Sequence, residues 1–232
     1  MRAMEEYELT RTEEGYQVAD IPDAVKFVRI DGPKALRLAD LFLHKQDLCF
    51  ASDCLNAIND NPEDRKVIRR ALWRSAIINY MKCFGCSKSR SKLIAQEVYK
   101  DEPAAALECF KYFKALRDKH IAHDENAYAQ CTPSAAINDG SKSYKIEKIV
   151  CLALFLDVMQ QDTWSSLQQL ISKAQEWTVS EFDALCIELT NELDVEPYES
   201  LYARESVKHT VPTFKDVGTR RDRDERRGTS SQ

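Results

Sequence analysis

The residues best suited to chemistry lie in one short stretch, Leu116-Arg-Asp-Lys-His-Ile-Ala-His-Asp124. Two of the four histidines are here, beside an arginine and two aspartates. Arginine suits a phosphate because its guanidinium stays charged and offers a planar fork of donors. Histidine exchanges protons near neutral pH. Together, these two residue types could cleave a phosphodiester without a metal ion.

Four polar side chains of this stretch have a role that they could fill in such a reaction. One imidazole, from His120 or His123, could take the proton of a ribose 2′-hydroxyl or protonate the departing 5′-oxygen. Arg117 could stabilise the negative charge that builds on the phosphorus oxygens. Asp118 could orient Arg117 or a histidine.

Spacing limits how these side chains can meet. Arg117 and His123 are six residues apart, about 240° around a straight α-helix, so they share a face only if the helix ends or bends between them. His120 lies over Arg117 at the i+3 position. A solvated helix end, with histidines near its C-terminal dipole, explains the same residues. Against that interpretation, Arg117 extends the apolar stripe of Phe110 and Phe113, which indicates a position facing a core or an interface.

A basic segment precedes this stretch. Residues 61–100 hold ten Lys and Arg against three Asp and Glu, a local charge of +7 in a chain whose net charge is −5. Such a local positive field suits a phosphate backbone. A solvated helix face would carry the same charges. The candidate RNA-binding cations are Lys66, Arg70, Arg74, Lys88, Arg90 and Lys92.

Composition favours long helices as the elements that position these residues. The 232 residues include six glycines and seven prolines, too few for the many turns of a β-sandwich or barrel. No two glycines are close enough for a phosphate-binding loop. Residues 124–144 are predicted to form a long loop. Apolar stripes at helical spacing predict helices at 33–58, 62–84, 93–99, 145–177 and 180–195, and one more that begins after Pro103.

These elements predict an all-α chain in three parts. They are an irregular N-terminal segment at 1–32, a bundle of about five to six helices at 33–195, and a flexible charged tail at 196–232. No apolar run reaches the roughly 18 residues that a membrane span needs. The acidic start of the chain has no apolar signal core. We therefore expect a cytoplasmic protein with reduced cysteines and no membrane partner.

A zinc site is the alternative that the cysteines suggest. Cys83 and Cys86 form a CxxC pair, and His120 and His123 are three residues apart. Zinc uses such ligands, but 33 residues separate the two pairs, more than in a usual finger. We therefore predict no metal ligand and no cofactor. His44 falls in the apolar stripe of the first long helix and is predicted to be a hydrogen-bonded core or interface histidine.

The stretch at 116–124 resembles the signature of the HEPN superfamily, in which an arginine and a polar residue are followed, after a short spacer, by a histidine. Arg117, Asp118 and His123 match it, with five residues between the arginine and the histidine. The sequence Arg-Asp-Lys-x-Ile-Ala-His is similar to that of the abortive-infection AbiU-like branch. The upstream segment Ala71-Leu-Trp-Arg-Ser-Ala-Ile-Ile-Asn-Tyr80 also resembles this branch. The resemblance covers about residues 35–195.

The resemblance implies a helical bundle that pairs as a homodimer, with the arginine and histidine of both copies in one cleft. It implies a metal-independent endoribonuclease of a toxin–antitoxin or antiphage system, restrained by an antitoxin protein. Arg117 would stabilise the phosphate, His123 would be the acid or base, and Asp118 would position them, with His120 as an auxiliary. Inactive family members also exist, so the alternative is a non-catalytic helical module that binds RNA, a nucleotide or a partner protein.

Overall fold

The computed structural model describes residues 9–12, 15–18, 21, 23–59, 65–123, 125–156, 158–207 and 212–219. Four strands form two antiparallel hairpins, β1 Leu9–Thr12 with β2 Gly15–Val18, and β3 Ala129–Ile137 with β4 Ile146–Phe155. The prediction of a mostly helical chain is confirmed, whereas the prediction of a purely α chain is wrong. The helices are α1 Pro33–Asn59, α2 Lys66–Lys82, α3 Ala95–Val98, α4 Ala104–Leu116, α5 Gln161–Asp194 and α6 Tyr198–Ala203, with a π-helix at Arg117–Ile121 and a 3₁₀ helix at Phe214–Gly218.

The chain divides into two compact units, each built from separate stretches of sequence. Unit 1 comprises the described residues within 1–49, 83–94 and 174–232. Unit 2 comprises those within 50–82 and 95–173. Helices α1 and α5 therefore contribute one part to each unit. The candidate residues at 66–74 and 117–123 belong to unit 2, and those at 88–92 belong to unit 1.

The core of unit 2 forms because apolar side chains recur at three- and four-residue intervals along its helices. Helix α2 buries Trp73, Ile77 and Tyr80. Trp73 meets Phe113 of α4 edge to face, with ring centroids 6.1 Å apart, and the Tyr80 hydroxyl bonds to the Tyr99 hydroxyl. This packing fixes α2 beside α4 and so determines which α2 side chains remain exposed.

Unit 1 holds a buried polar group on α1. His44 has no exposed surface, and its Nε2 donates a hydrogen bond to the Ser91 carbonyl at 2.7 Å. One turn earlier, Asp40 accepts a hydrogen bond from the Ser91 amide at 2.9 Å. The Cys83 thiol donates to the His44 carbonyl at 3.8 Å. His44 is therefore the hydrogen-bonded core histidine that the sequence predicts, and it ties the segment 83–94 to α1.

The hairpin of β3 and β4 replaces two predicted elements. The predicted loop at 124–144 and the first part of the predicted helix at 145–177 are wrong, because Ile146–Phe155 pairs with Ala129–Ile137. The β4 sequence holds three β-branched residues and a phenylalanine, and a short apolar run does not by itself distinguish a strand from a helix. At the turn, Gly140 has a φ of +84°, and its amide donates to the Asn138 side chain. Asn-Asp-Gly turn chemistry thus closes the hairpin.

Helix α5 joins the second part of the predicted helix at 145–177 to the predicted helix at 180–195. It runs from Gln161 to Asp194 without the break expected at Ser180. Thr178 and Phe182 are buried on either side of that point, so the buried stripe of the helix continues through it. A local capping signal at Ser180 is therefore overridden by the burial of its neighbours.

Both ends of the described chain are more regular than predicted. The segment 1–32 contains β1 and β2, and the predicted tail contains α6 and the 3₁₀ helix. Val28 pairs with Ser206, and the Lys26 ammonium donates to the Arg204 carbonyl at 2.7 Å. These hydrogen bonds give the first part of the predicted tail a partner that sequence periodicity cannot reveal. Residues 220–232 and the predicted helix start at 61–64 lie outside the described residues.

Candidate active site and nucleic-acid interface

The chemistry-bearing stretch begins where α4 changes into a π-helix. Helix α4 ends at Leu116, and the next five residues, Arg117–Ile121, form a wider turn. The Ala122 amide donates to the Arg117 carbonyl at 2.9 Å, which is the i→i+5 bond of a π-helix. Such turns are rare and often occur at functional sites. The helix therefore widens at Arg117 and ends at Ile121, before His123.

Arg117 and Asp118 form an ion pair at the start of this turn. Arg117 Nη1 lies 3.0 Å from Asp118 Oδ1, and their side chains are 34% and 29% exposed. Lys114 Nζ donates to the other Asp118 oxygen at 2.9 Å. Partial burial opposes ionisation of Asp118, but the hydrogen bond from Lys114 and the positive charges of Arg117, Lys114 and Lys119 together lower its pKa. Asp118 is thus held ionised beside Arg117.

The Nε atom of Arg117 has a different environment from Nη1. In the part of the chain that the structure describes, Arg117 Nε is buried and has no hydrogen-bond partner. An unpaired buried donor on a charged group costs free energy until it is bonded. Arg117 therefore pairs with Asp118 through Nη1, while its buried Nε is closed to solvent.

His120 is half-buried, and its ring is held by an aromatic neighbour. The ring meets that of Tyr128 nearly edge to face, with centroids 5.6 Å apart. Its Nδ1 is buried and has no hydrogen-bond partner among the described residues. The Tyr128 carbonyl accepts a hydrogen bond from the Leu156 amide at 2.8 Å, at the end of β4. The hairpin therefore supports the residue that packs against His120.

His123 is exposed and follows the π-helix. Its neighbour Glu125 pairs with Lys119. The hydrogen bond and charge of Lys119 lower the pKa of Glu125, and the positive charge of His123 acts in the same direction. Asp124 lies outside the described residues. His123 is thus placed at a solvent-exposed turn, whereas His120 is placed against the body of unit 2.

A cavity of about 420 Å³ joins His120 to the basic face of α2. Its volume is within the usual range for ligand sites, about 300 to 1,000 Å³. Helical spacing explains the arrangement, because residues three and four apart share one face of α2. Arg117, Asp118 and His123 are not part of this lining. The cavity is lined by Lys66, Arg70, Trp73, Arg74, His120, Phe155, Leu156, Val158 and Met159.

The three cations of this cavity remain accessible. Lys66, Arg70 and Arg74 are exposed, whereas Trp73, on the same face, is 2% exposed. Phe155, at the end of β4, is 73% exposed. The cavity therefore combines a cationic rim with aromatic and aliphatic walls, a combination that suits a phosphate attached to a planar apolar group.

The other predicted cations belong to unit 1 and have different surroundings. Arg90 Nη1 donates to Asp47 Oδ2 at 2.7 Å, and the two side chains are 10% and 13% exposed. Lys88 and Lys92 are exposed. Arg90 is thus mainly engaged within the protein, in the segment that His44 also binds.

Sequence reasoning missed the apolar side of the cavity. Trp73 could have been found, because it lies three residues after Arg70 and one before Arg74 on a predicted helix. Phe155 and Leu156 could not, because the sequence assigned them to the interior of a long helix. Tyr128 carried no signal in the predicted loop.

Two general findings concern the described part of the chain. No helix in it is long and apolar enough to span a membrane. No group of three or more His, Cys, Asp or Glu side chains within it is arranged to hold a metal ion.

Comparisons with family models, curated proteins and solved structures find no match for this chain.

Proposed function

We propose that this chain is a HEPN-like, metal-independent endoribonuclease of a toxin or antiphage system. The observation that carries the proposal is the cavity in which the exposed cations of α2 meet an imidazole of the Arg117–His123 stretch. Phosphate recognition by Arg and Lys and proton transfer by His are the two requirements of metal-free RNA cleavage. The resemblance of Arg117, Asp118 and His123 to the HEPN signature supplies the family.

In this reaction one imidazole removes the proton of a ribose 2′-hydroxyl. The 2′-oxygen attacks the adjacent phosphorus, the bond from phosphorus to the 5′-oxygen breaks, and that oxygen takes up a proton. The products are a 2′,3′-cyclic phosphate and a free 5′-hydroxyl. Arg117, positioned by Asp118, stabilises the negative charge on the non-bridging oxygens, while Lys66, Arg70 and Arg74 hold the RNA backbone.

The biological setting in the proposal follows from the same resemblance. The protein would act in the cytoplasm as a homodimer, with RNA as its substrate and an antitoxin protein as its restraint. No cofactor takes part. The proposed chemistry needs only side chains of this chain and the 2′-hydroxyl of the substrate.

Cleavage of a labelled RNA by the purified protein in EDTA tests the proposal. Arg117→Ala should lower the rate by about 10²- to 10³-fold, as expected for loss of a group that stabilises transition-state charge. The double variant His120→Ala/His123→Ala should lower it by about 10²- to 10⁴-fold. Arg65→Gln is the matched control, since Arg65 is an exposed cation next to α2 that does not line the cavity. Equal cleavage by the wild type and all three variants would exclude the assignment.

A second candidate function is a non-catalytic module that binds RNA, a nucleotide or a partner protein. The Arg117–Asp118 ion pair favours it, because a carboxylate 3.0 Å away already neutralises the arginine. The same cavity would then bind a phosphate without cleaving it. RNA binding that weakens in Arg70→Gln, with no cleavage above a protein-free control, would support this candidate over the nuclease.

A further inference from the structure

We propose that His120, and not His123, is the imidazole that meets the phosphate, in a nucleotide site formed by α2 and the end of β4. This inference rests on the proposed function for its catalytic part. Its binding part concerns only the ligand, a phosphate ester of a nucleoside. It departs from the sequence signature, which assigns the acid or base role to His123.

The first support is the set of residues that line the cavity with His120. It lines the cavity together with Lys66, Arg70 and Arg74, so a phosphate bound by these cations lies in the same space as the imidazole. Three cations on one face give a phosphate dianion several donors at once. His123 is exposed and does not line this cavity.

The second support is the orientation of the ring. A reacting imidazole needs a defined plane, since small misplacements of a catalytic group cost large factors in rate. Tyr128 meets the ring edge to face at 5.6 Å and is tied through its carbonyl to the Leu156 amide. Leu156 itself lines the cavity. His120 Nδ1 is buried, so Nε2 is the nitrogen that a ligand in the cavity can reach.

The third support is the apolar side of the cavity. Phe155, 73% exposed, and the buried Trp73 line it with three aliphatic or thioether side chains. Stacking of a base on an aromatic ring is worth about 1 to 3 kcal/mol. A base held there and a phosphate on the α2 cations would place the intervening ribose near His120. This arrangement needs an unstacked nucleotide, which only an unpaired segment supplies.

In the catalytic step, neutral His120 accepts the 2′-hydroxyl proton at Nε2. The 2′-oxygen bonds to phosphorus with its released electron pair, the bond to the 5′-oxygen breaks, and the 5′-oxygen is protonated by water. The hydroxide left by that water takes the proton from His120. Charge and atoms balance without an oxidant, reductant or metal ion.

The activity test compares His120→Ala with His123→Ala as a matched pair. His120→Ala should cleave RNA at least about 10²-fold more slowly, and free imidazole in the buffer should restore part of the rate. His123→Ala should lose markedly less activity than His120→Ala. Rescue by imidazole separates a chemical role from a structural one, and equal melting temperatures confirm folding. A large loss only in His123→Ala would overturn the inference.

A binding test keeps the inference separate from the nuclease proposal. The imidazole proton signals of His120 and His123 are assigned from these two variants and followed during titration with inorganic phosphate and uridine 3′-monophosphate. Both ligands should move the His120 signal, the nucleotide at lower concentration, and Arg70→Gln should weaken both effects while Arg65→Gln does not.

The two tests give distinguishable failures. If no RNA is cleaved but the ligands move the His120 signal, the nuclease proposal fails and the nucleotide site stands. If the ligands move the His123 signal or neither signal, the inference is overturned even when RNA is cleaved. Equal affinity for phosphate and uridine 3′-monophosphate would overturn the assignment of the apolar wall to a base.

Discussion

Acidification from pH 7.5 to pH 5 should destabilise the folded protein through His44. Burial lowers the pKa of His44 from 6.5 to about 4, although its hydrogen bond to the Ser91 carbonyl favours the protonated form. The charges of Arg90 and Arg37 lower this pKa further, while Asp40 raises it. Since a carbonyl only accepts, Nε2 carries the proton of the neutral ring, and protonation at Nδ1 would place a charge where the ring has no exposed surface.

The sign and size of the effect follow from proton linkage. Between pH 4 and pH 6.5 the unfolded chain binds the His44 proton and the folded chain does not, so the free energy of unfolding falls as the pH falls. Each pKa unit is worth about 1.4 kcal/mol. The full difference is about 3 kcal/mol below pH 4, and about 2 kcal/mol of it is lost between pH 7.5 and pH 5. The midpoint of urea unfolding should then fall by about 1 M.

The assay is urea unfolding at several pH values, with His44→Gln and His123→Gln as paired variants. His44→Gln keeps a side-chain donor for Ser91 but cannot titrate, so its stability should change much less with pH. His123→Gln is the matched control, because it removes an exposed histidine and leaves His44 in place. Carboxylates with lowered pKa values, such as Asp118, lose stability at lower pH in all three proteins and cancel in the comparison.

The expected result is a difference of about 2 kcal/mol between wild type and His44→Gln in the stability lost from pH 7.5 to pH 5. A wild type whose stability falls no more than that of His44→Gln would refute the reasoning. It would mean that the ring is protonated in the folded state and is compensated by Asp40. The same slope in both paired variants would assign the effect to groups other than these histidines.

Three further predictions concern single contacts. Arg90→Ala should lower the free energy of unfolding by up to about 3 kcal/mol, because it removes the largely buried partner of Asp47, and Arg90→Ala/Asp47→Asn should lose less; urea unfolding measures both. Gly140→Ala should destabilise the β3–β4 hairpin by about 1 to 2 kcal/mol, because a φ of +84° disfavours a side chain. Hydrogen exchange should become faster in residues 129–155 but not in α1. Uridine 3′-monophosphate should change the fluorescence of the wild type but not of Trp73→Phe, which keeps the ring packing; an unchanged wild-type signal would contradict Trp73 as a wall of the site.

The sequence predicts the helices that bury a continuous stripe. Helix α1 lies where Leu41, Leu48 and Leu55 repeat at seven-residue intervals, and all three are buried. It also predicts that Lys66, Arg70 and Arg74 share a face. These successes depend on local periodicity, which a single sequence displays directly.

The sequence fails where pairing between distant residues decides the structure. β4 is apolar at most positions, so only its partner β3, across the Asn138–Gly140 turn, establishes it as a strand. The cavity depends on that hairpin, because Phe155 and Leu156 enter it from the end of β4. The π-helix at Arg117–Ile121 is a one-residue change in hydrogen-bond spacing that no side-chain pattern announces. Only the three-dimensional structure therefore reveals that His120 and His123 have different surroundings.

The discontinuous make-up of the two units has a consequence for the order of events during synthesis. All of unit 2 is encoded within residues 50–173, whereas unit 1 also needs its last segment, which begins at residue 174. In that segment, the Arg204 carbonyl accepts a hydrogen bond from Lys26, 178 residues earlier in the chain. At about 5 to 20 residues per second, residues 174–207 take about 2 to 7 s to translate. The cavity residues therefore leave the ribosome seconds before unit 1 can close. We therefore expect long-range closure of unit 1 to follow assembly of the cavity.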